Sequence, residues 1–505
     1  MSLDVRTPAL ATGPVPDPPP AARPPLLRGR APVVVAPAAL TAVLGLWGIR
    51  RQNTLWGDEA VTYQLAGREP SRIWETVQQV DLVHALYYAL MHVIFDLFGA
   101  GLLSLRLPSV LAMAAAAGGV GLLGLRLAGP RAGMAAGLVF ALLPQVQKYA
   151  QEGRSYALVC ALIAWATCAL VANVARGGRW RWTVYGLTLL AACLLHEFAV
   201  LALAAHGVTL LLSRPPKGVL RAWSVTASGV VTGLLPLAVV SAGQSEQVAW
   251  IGGPVRPYHL LVAVVVGVAC ARAPLRSGGP VSTAALAVPM LVLPGALLLT
   301  ASLVKPLFVD RYVLFSNIGI ALLLGAWLDH ARRLPRHAPF VYGATVAALA
   351  ALVPSSLALR TPQSRSNDAT AVATAVREAG RPGDGLLHLS GRQRILTATH
   401  PEDTRLLVDL ALARDPVASD TLAGVELAAP VIAARMKEFD RIVVVRAAGE
   451  RASGDPREEA KEETLRRHFR EDRAAEVNGA RVSVHVRRYG DPARAEFFGV
   501  PSGSG

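Results

Sequence analysis

Charge is what this chain has least of. Charged residues fill 17% of its 505 positions, against about 25% in an ordinary soluble protein. The shortage is local: residues 1–359 hold 40 charged side chains and residues 360–505 hold 45. The longer part is too poor in charge to be a soluble globule of its size, which excludes a soluble enzyme, a fibrous protein and a disordered regulator. Cysteine is scarce as well. Cys160, Cys168, Cys193 and Cys270 all sit inside apolar runs, without metal-ligand spacing, which argues against a disulfide framework and a Cys-based zinc site. Lysine is nearly absent, five residues against 45 arginines, which reads as genome composition. There is no Gly-rich phosphate loop, no internal repeat and no basic stripe with interleaved aromatics, so no nucleic-acid partner is expected.

The net charge is +15, and its distribution explains it. Residues 360–505 are nearly neutral, with 23 basic and 22 acidic side chains, whereas residues 1–359 have 27 and 13. The excess belongs to short loops beside a membrane, where Lys and Arg hold the cytoplasmic side. The expected fold class is therefore an α-helical polytopic membrane protein with a small C-terminal α/β extramembrane domain.

Residues 1–30, with eight prolines, cannot bury a core and are expected to form a disordered cytoplasmic tail. Residues 31–49 are an unbroken apolar run of 19, close to the ~20 needed to span a bilayer, and read as a signal anchor. Further runs follow near 82–98, 103–125, 131–147, 155–175, 182–195, 198–212, 222–241, 258–271, 281–303, 312–328 and 338–358. Several are short, so about 10 to 13 crossings are expected, making residues 31–359 one polytopic domain. Arg/Lys-rich connectors at 176–181, 214–221, 272–276 and 332–336 mark the cytoplasmic side. The connectors near 148–156, 196–197, 242–257 and 304–312, the loop 50–81 and the C-terminal domain then face outward. One parity conflict remains, because three runs separate 50–81 from 148–156. One of the three must be interfacial or re-entrant.

After a polar linker at 363–369, helix-like and strand-like segments alternate. TAVATAVREAG, 421–438 and 456–474 read as helices; GLLHLS, RIVVVRAA and RVSVHVRRY read as strands. That alternation predicts an α/β domain over 360–505 with a mainly parallel sheet.

Acidic residues are the scarce resource of the membrane part. Five of its 13 (Asp58, Glu59, Glu69, Glu75 and Asp81) fall in the loop 50–81. Adjacent carboxylates such as Asp58 and Glu59 repel, which favours a proton on one of them. Such a group can take a proton from a hydroxyl as a general base, although a solvated acidic loop would look the same. Arg154, Lys305 and Arg311 lie at outward span ends, against the positive-inside tendency. A lipid-linked phosphate would call for such cations, Arg forking two oxygens and Lys acting as a point charge; snorkelling side chains are the plainer alternative. Tyr156 and Tyr312 follow the two arginines. His84 with Tyr87 and Tyr88, and the pair His196-Glu197, are polar breaks at further span ends, where ionisable residues are costly. Asp96 and Arg106 read as a structural ion pair, and Asp329, Arg332 and Arg333 as topology markers.

The order of these motifs resembles the membrane-embedded GT-C glycosyltransferases. WGDEA (56–60) comes first, then His84 with Tyr87-Tyr88, LFG (97–99), RLPS (106–109), Q-x-x-R-x-Y (151–156) and Asp310-Arg311-Tyr312. The likeness is greatest to the protein O-mannosyltransferase and aminoarabinose-transferase superfamily in its bacterial family-39-like form, over roughly residues 40–330. The resemblance implies transfer of a sugar, a mannose-like hexose or a pentose, from a polyprenyl-phosphate donor to a cell-envelope acceptor. It places the site, and the C-terminal domain, on the outer face of the plasma membrane. It implies Asp58 as the acceptor-activating base and Glu59 as its partner or an acceptor-binding group. Arg154, Arg311 and Lys305 would bind donor phosphate, with His84, Tyr88, Tyr156, His196, Glu197 and Tyr312 about the substrates. Relatives carry His-Pro-Pro where this chain has His84-Ala85-Leu86, and a Glu is more usual at Asp310. In-line displacement with one base would invert the anomeric centre. No cofactor is required. Asp58, Glu59 and His196 could share a divalent cation, but their spacing is not a ligand signature. The competing class is a lipid or solute transporter or flippase, which should spread polar groups through mid-span positions and repeat its halves; this chain does neither.

Overall fold

The computed structural model describes residues 31–244, 280–333, 338–449 and 454–488. The N-terminal tail, the apolar run 258–271 with Cys270 and the connector 272–276 lie outside the described residues. Helices α1 (Ala31–Leu46), α2 (Gly57–Ala66), α3 (Pro70–Gln79), α4 (Ala85–Phe98), α5 (Leu102–Ala128), α6 (Pro130–Leu142) and α7 (Pro144–Ala150) come first. Then follow α8 (Tyr156–Arg176), α9 (Arg179–Leu195), α10 (Leu201–Ser213), α11 (Lys217–Gly243), α12 (Thr283–Ala301), α13 (Asn317–Ala331) and α14 (Ala338–Ala358).

Among the described residues seven helices, α1, α5, α8, α11, α12, α13 and α14, are long and apolar enough to cross a membrane, α1 and α13 with their adjoining 3-10 turns. The segments around α4, α6 and α10 are shorter and also apolar. The chain is a multi-pass membrane protein. The run 131–147 is not one helix. Leu143 is extended (φ −61°, ψ 129°), as a residue before proline prefers, and Pro144 opens α7. At 13 residues α6 rises only about 20 Å.

Small residues let these helices approach closely, since lipid gives no hydrophobic drive between them. A Cβ on Gly325 of α13 would lie 2.5 Å from the Ala136 nitrogen of α6. Buried polar groups find partners within the bundle. Trp223 Nε1 donates to the Tyr185 hydroxyl (3.1 Å), which lies 2.9 Å from His206 Nδ1, while His206 Nε2 lies 3.0 Å from Thr167 Oγ1. That one chain of hydrogen bonds ties α8, α9, α10 and α11. Cys160, Cys168 and Cys193 are buried free thiols.

Beyond α14 the chain builds α15 (Ala369–Ala379), β1 (Gly385–His388), β2 (Val408–Asp409), β3 (Leu412–Arg414), β4 (Val425–Glu426), α16 (Ala429–Met436), β5 (Arg441–Ala447), α17 (Pro456–His468), β6 (Phe469–Val477) and β7 (Ala480–Arg487). The main sheet has the order β2-β1-β5-β7-β6. It is mixed rather than mainly parallel: β1 is parallel to β2 and β5, while β7 is antiparallel to β5 and β6. Two helix expectations also shorten. Within 421–438 only α16 is an α-helix, and the charged helix 456–474 ends at His468, where β6 begins.

Alternation along β1 and β5 sends Leu387, Ile442 and Val444 to one core with Ile432, Met436 and Leu465. Leu386, Val443 and Val445 face the other side, with Val372 and Val376 of α15, in a core continuous with that of the membrane helices. The segment 363–369 is accordingly no free linker. Its Arg365 donates to the Lys148 carbonyl (2.9 Å), and its Ala369 nitrogen donates to the Leu55 carbonyl (2.6 Å).

Candidate functional site

Five connectors meet at one end of the bundle: 50–58, 81–84, 151–156, 196–197 and 309–312. Each carries polar groups because each ends an apolar span. The first descends from α1 through Arg51, Gln52 and Asn53, all at positive φ (42°, 57° and 67°). Three consecutive left-handed non-glycine residues are strained. They are held by the Arg51 guanidinium, which donates to Glu59 Oε2 (2.8 Å) and to the Gln151 carbonyl (3.3 Å).

Asp58 and Glu59, neighbours in sequence, part company in space, because successive residues on a helix point about 100° apart. Asp58 lies in the first turn of α2, and its side chain is 31% exposed. Its Oδ2 is 3.3 Å from Arg311 Nη2. Glu59 is fully buried. Arg106 Nε reaches its Oε1 at 2.7 Å and Arg106 Nη2 its Oε2 at 2.6 Å; the Gly153 nitrogen adds 3.0 Å to Oε1. Burial alone would lift the Glu59 carboxyl, but Arg106 and Arg51 outweigh it and hold it at about 2. Glu59 thus faces no acceptor and has no oxygen free to share a cation with Asp58 and His196. Arg106 belongs to this cluster and not to Asp96, which is exposed.

Arg311 is the centre of one wall. Its Nε donates to the Tyr156 hydroxyl (3.1 Å), and its guanidinium carbon lies 5.7 Å from the ring centroids of Tyr156 and Tyr312 and 5.9 Å from that of Trp56. Such stacking holds a cation while leaving its edge for an anion. Asp310 beside it is 3.3 Å from both Tyr149 Oη and Gln145 Nε2.

Arg154 forms the second wall. It donates to the Tyr88 hydroxyl (3.0 Å) and to His84 Nε2 (3.2 Å), and lies 3.8 Å from Asp81. Asp81 accepts from His84 Nδ1 at 2.8 Å and from the Tyr88 hydroxyl. These partners set the His84 tautomer: Nδ1 carries the proton to Asp81 and Nε2 accepts from Arg154. Burial would raise the Asp81 carboxyl, yet His84, Arg154 and Tyr88 hold it below the usual range. His196 closes the ring of aromatics, 4.6 Å from Tyr312 and 5.6 Å from both His84 and Tyr156. Burial pushes its imidazole well down, so it is neutral.

Most of the residues singled out in the sequence therefore converge: Asp58, His84, Tyr88, Arg154, Tyr156, His196, Arg311 and Tyr312. Lys305 and Glu197 are less central. Glu197 accepts from Ser241 (2.8 Å) and feels the charge of Lys305. Among the described residues no hydrogen bond or ion pair joins either to Asp58, Arg154 or Arg311. Asp81 is a second carboxylate of the site, counted from the sequence only as a loop acid. Its signals were its place three residues before His84 and seven before Tyr88. Glu152 was not singled out either. It is buried, 3.4 Å from Arg365, and burial raises its carboxyl against the pull of Arg365. The one candidate metal cluster among the described residues is His400, Glu402 and Asp403, far along the chain in the C-terminal domain. Asp403 there already pairs with Arg377 (2.8 Å).

No protein-family model matches the chain, and no curated protein sequence does. Solved structures do. The chain is similar to ArnT from Cupriavidus metallidurans bound to undecaprenyl phosphate, at 14% identity and a TM-score of 0.57, over 90% of this chain and 98% of that one. The apo form of the same protein gives 14%, a TM-score of 0.56, and 89% and 97% coverage. An oligosaccharyltransferase from Archaeoglobus fulgidus gives 12%, 0.46, and 82% and 67%. This chain has the GT-C fold. The sheet domain packs against the connectors at one end of the helical bundle.

Proposed function

We propose that this protein is a glycosyltransferase that takes a sugar from a polyprenyl-phosphate donor and passes it to a hydroxyl of a cell-envelope acceptor on the outer membrane face. One observation carries the reading. Asp58, its side chain 31% exposed, pairs with Arg311, and its charge reaches Arg154 on the facing wall, within an aromatic enclosure at one end of a membrane bundle. The likeness to ArnT, whose structure holds undecaprenyl phosphate, supports the donor class.

The chemistry follows from those groups. An acceptor hydroxyl reaches Asp58, which takes its proton as the oxygen attacks the anomeric carbon. The bond from that carbon to the phosphate oxygen breaks, and the leaving lipid phosphate gains negative charge. Arg311 and Arg154 stabilise that charge where it develops, with Lys305 as a third, more distant cation. Attack opposite the leaving group inverts the anomeric centre. Before the donor arrives Arg311 is neutralised by Asp58; a phosphate drawing Arg311 away would leave Asp58 free to act. Tyr312, partly exposed, with Tyr156, Tyr88, His84 and His196 buried behind it, would line the place of the sugar, a mannose-like hexose or a pentose, and Glu197 lies where it feels the charge of Lys305. Glu59 serves by position, fixing α2 to the connector that carries Arg154.

The test is transfer by purified protein in nanodiscs from a panel of labelled polyprenyl-phosphate sugars to membrane extract. Arg311→Ala and Arg154→Ala should each lower donor affinity and turnover. Failure of the wild-type protein to bind or turn over any donor would refute the reading.

A further inference from the structure

Helix α2, which carries Asp58, starts without a cap of its own. Its N-cap is Trp56, and no side chain of the flanking residues accepts from its first turn. An uncapped start leaves N–H groups unsatisfied and frays readily. An acceptor for the first N–H of the helix comes from 310 residues away, and a second steadies the residue just before the N-cap. Asn367 Oδ1 accepts from the Gly57 nitrogen at 2.7 Å, and Asp368 Oδ1 accepts from the Leu55 nitrogen at 3.3 Å. The Ala369 nitrogen donates to the Leu55 carbonyl (2.6 Å), and Thr370 Oγ1 donates to the Asn53 carbonyl (3.1 Å). The segment 367–370 thus brackets the strained descent 51–56 and the first turn of α2 together.

Two residues before it, the chain reaches the opposite pole. Arg365 Nη2 donates to the Lys148 carbonyl at 2.9 Å, and its Nε lies 3.4 Å from Glu152, two residues before Arg154. It is itself held by the β6–β7 hairpin. The Asn478 carbonyl accepts from the Asp368 nitrogen (3.0 Å), and Asn478 Nδ2 donates to the carbonyls of Pro362 (3.2 Å) and Arg365 (3.1 Å). Gly479, at φ +88°, lies so near that a Cβ there would be 2.2 Å from Asn367 Cβ. Asn-Gly is the two-residue hairpin loop that tolerates positive φ. A rigid hairpin in the C-terminal domain therefore fixes a segment that grips both the helix of Asp58 and the connector of Arg154.

We propose that this segment sets the spacing between Asp58 and the arginines, and that Asn367 is a positioning residue for Asp58, acting through the Gly57 N–H. The inference rests on the glycosyltransferase reading and gives the C-terminal domain a part in turnover. Misplacement of a catalytic group by about 1 Å can cost on the order of a hundredfold in rate. Donor binding, held by Arg154 and Arg311, should be spared.

Full-length protein in nanodiscs would be prepared as wild type, Asn367→Ala, Asn367→Leu and Asn367→Asp. Ala and Leu both remove the acceptor, one leaving space and one filling it, so a packing defect peculiar to either is recognised. Asp keeps an oxygen where Oδ1 stands, and a helix N-terminus tolerates its charge. The expected result is a tenfold or larger loss of kcat in Ala and Leu with donor KM within twofold of wild type, and recovery in Asp. Hydrogen exchange of peptides covering 55–60 should quicken in Ala and Leu while the β5–β7 sheet stays protected. Wild-type kcat in both Ala and Leu, failure of Asp to recover, or unchanged exchange at 55–60 would overturn the proposal. If wild type itself transfers nothing, the glycosyltransferase reading has failed, and exchange at 55–60 alone decides whether the clamp exists.

Discussion

Glu59→Gln separates a structural carboxylate from a catalytic one. Gln keeps the shape and one acceptor oxygen but removes the charge. Two guanidiniums, Arg106 and Arg51, are then left in a site with almost no solvent access, where side-chain exposures are 1% or less. Removing one partner from a buried ion pair costs about 3–5 kcal/mol. A second route gives a similar size. The Glu59 carboxyl falls from its ordinary 4.5 to about 2, and at about 1.4 kcal/mol per unit that is roughly 3 kcal/mol in favour of the folded state. Because the folded value is depressed, this contribution is fully present above pH 4.5 and is lost as pH falls toward 2. The assay is unfolding of wild type and Glu59→Gln in detergent, followed by loss of the monodisperse peak and by tryptophan fluorescence, at pH 7 and at steps down to pH 3. Glu59→Gln should be markedly less stable at pH 7, and the gap should narrow as the pH drops. A variant as stable as wild type but inactive would refute the structural assignment and return Glu59 to the chemistry.

Gly325→Ala should destabilise the bundle by about 1–3 kcal/mol, because the new Cβ would meet the Ala136 nitrogen at 2.5 Å; detergent unfolding midpoints measure it. Lys461→Met should loosen the C-terminal domain. Lys461 is fully buried and bonded to Glu426 and the carbonyls of His388 and Leu389. Losing its charge beside Glu426 should cost about 3 kcal/mol and expose the domain to limited proteolysis, leaving the membrane helices intact. Gly479→Ala should repeat the kinetic signature of Asn367→Ala, a lower kcat at constant donor KM, because its Cβ would fall on Asn367.

The division into membrane and water-facing parts was legible because charge density follows solvent. Asp58, Arg154 and Arg311, which the fold gathers at one end of the bundle, stood out in the sequence because a cation or a carboxylate at an apolar span end is costly. The division of labour among carboxylates was not. Asp58 and Glu59 look alike in sequence, yet helix geometry turns one toward the site and one toward Arg106, 47 residues away. No local pattern names that partner. Asp81 was passed over although His84 and Tyr88 lie three and seven residues on, because its third partner, Arg154, comes beside it only once the chain has folded. The sheet direction was illegible because a period-2 strand is the same in either orientation. The local clue was Asn478-Gly479, a strong hairpin signal, and β6 and β7 are indeed antiparallel across it. The capping of α2 by Asn367 spans 310 residues and leaves no mark on either segment alone.

The most direct test of the central claim is Asp58→Asn beside wild type, with donor affinity and single-turnover transfer measured on the same nanodisc preparation. An acceptor-activating base predicts that Asp58→Asn binds polyprenyl-phosphate sugar as tightly as wild type, or more tightly because Arg311 is released, and transfers at least a hundredfold more slowly, a loss within the ~10²–10⁴ range of general-base catalysis. Transfer by Asp58→Asn at the wild-type rate would contradict the account.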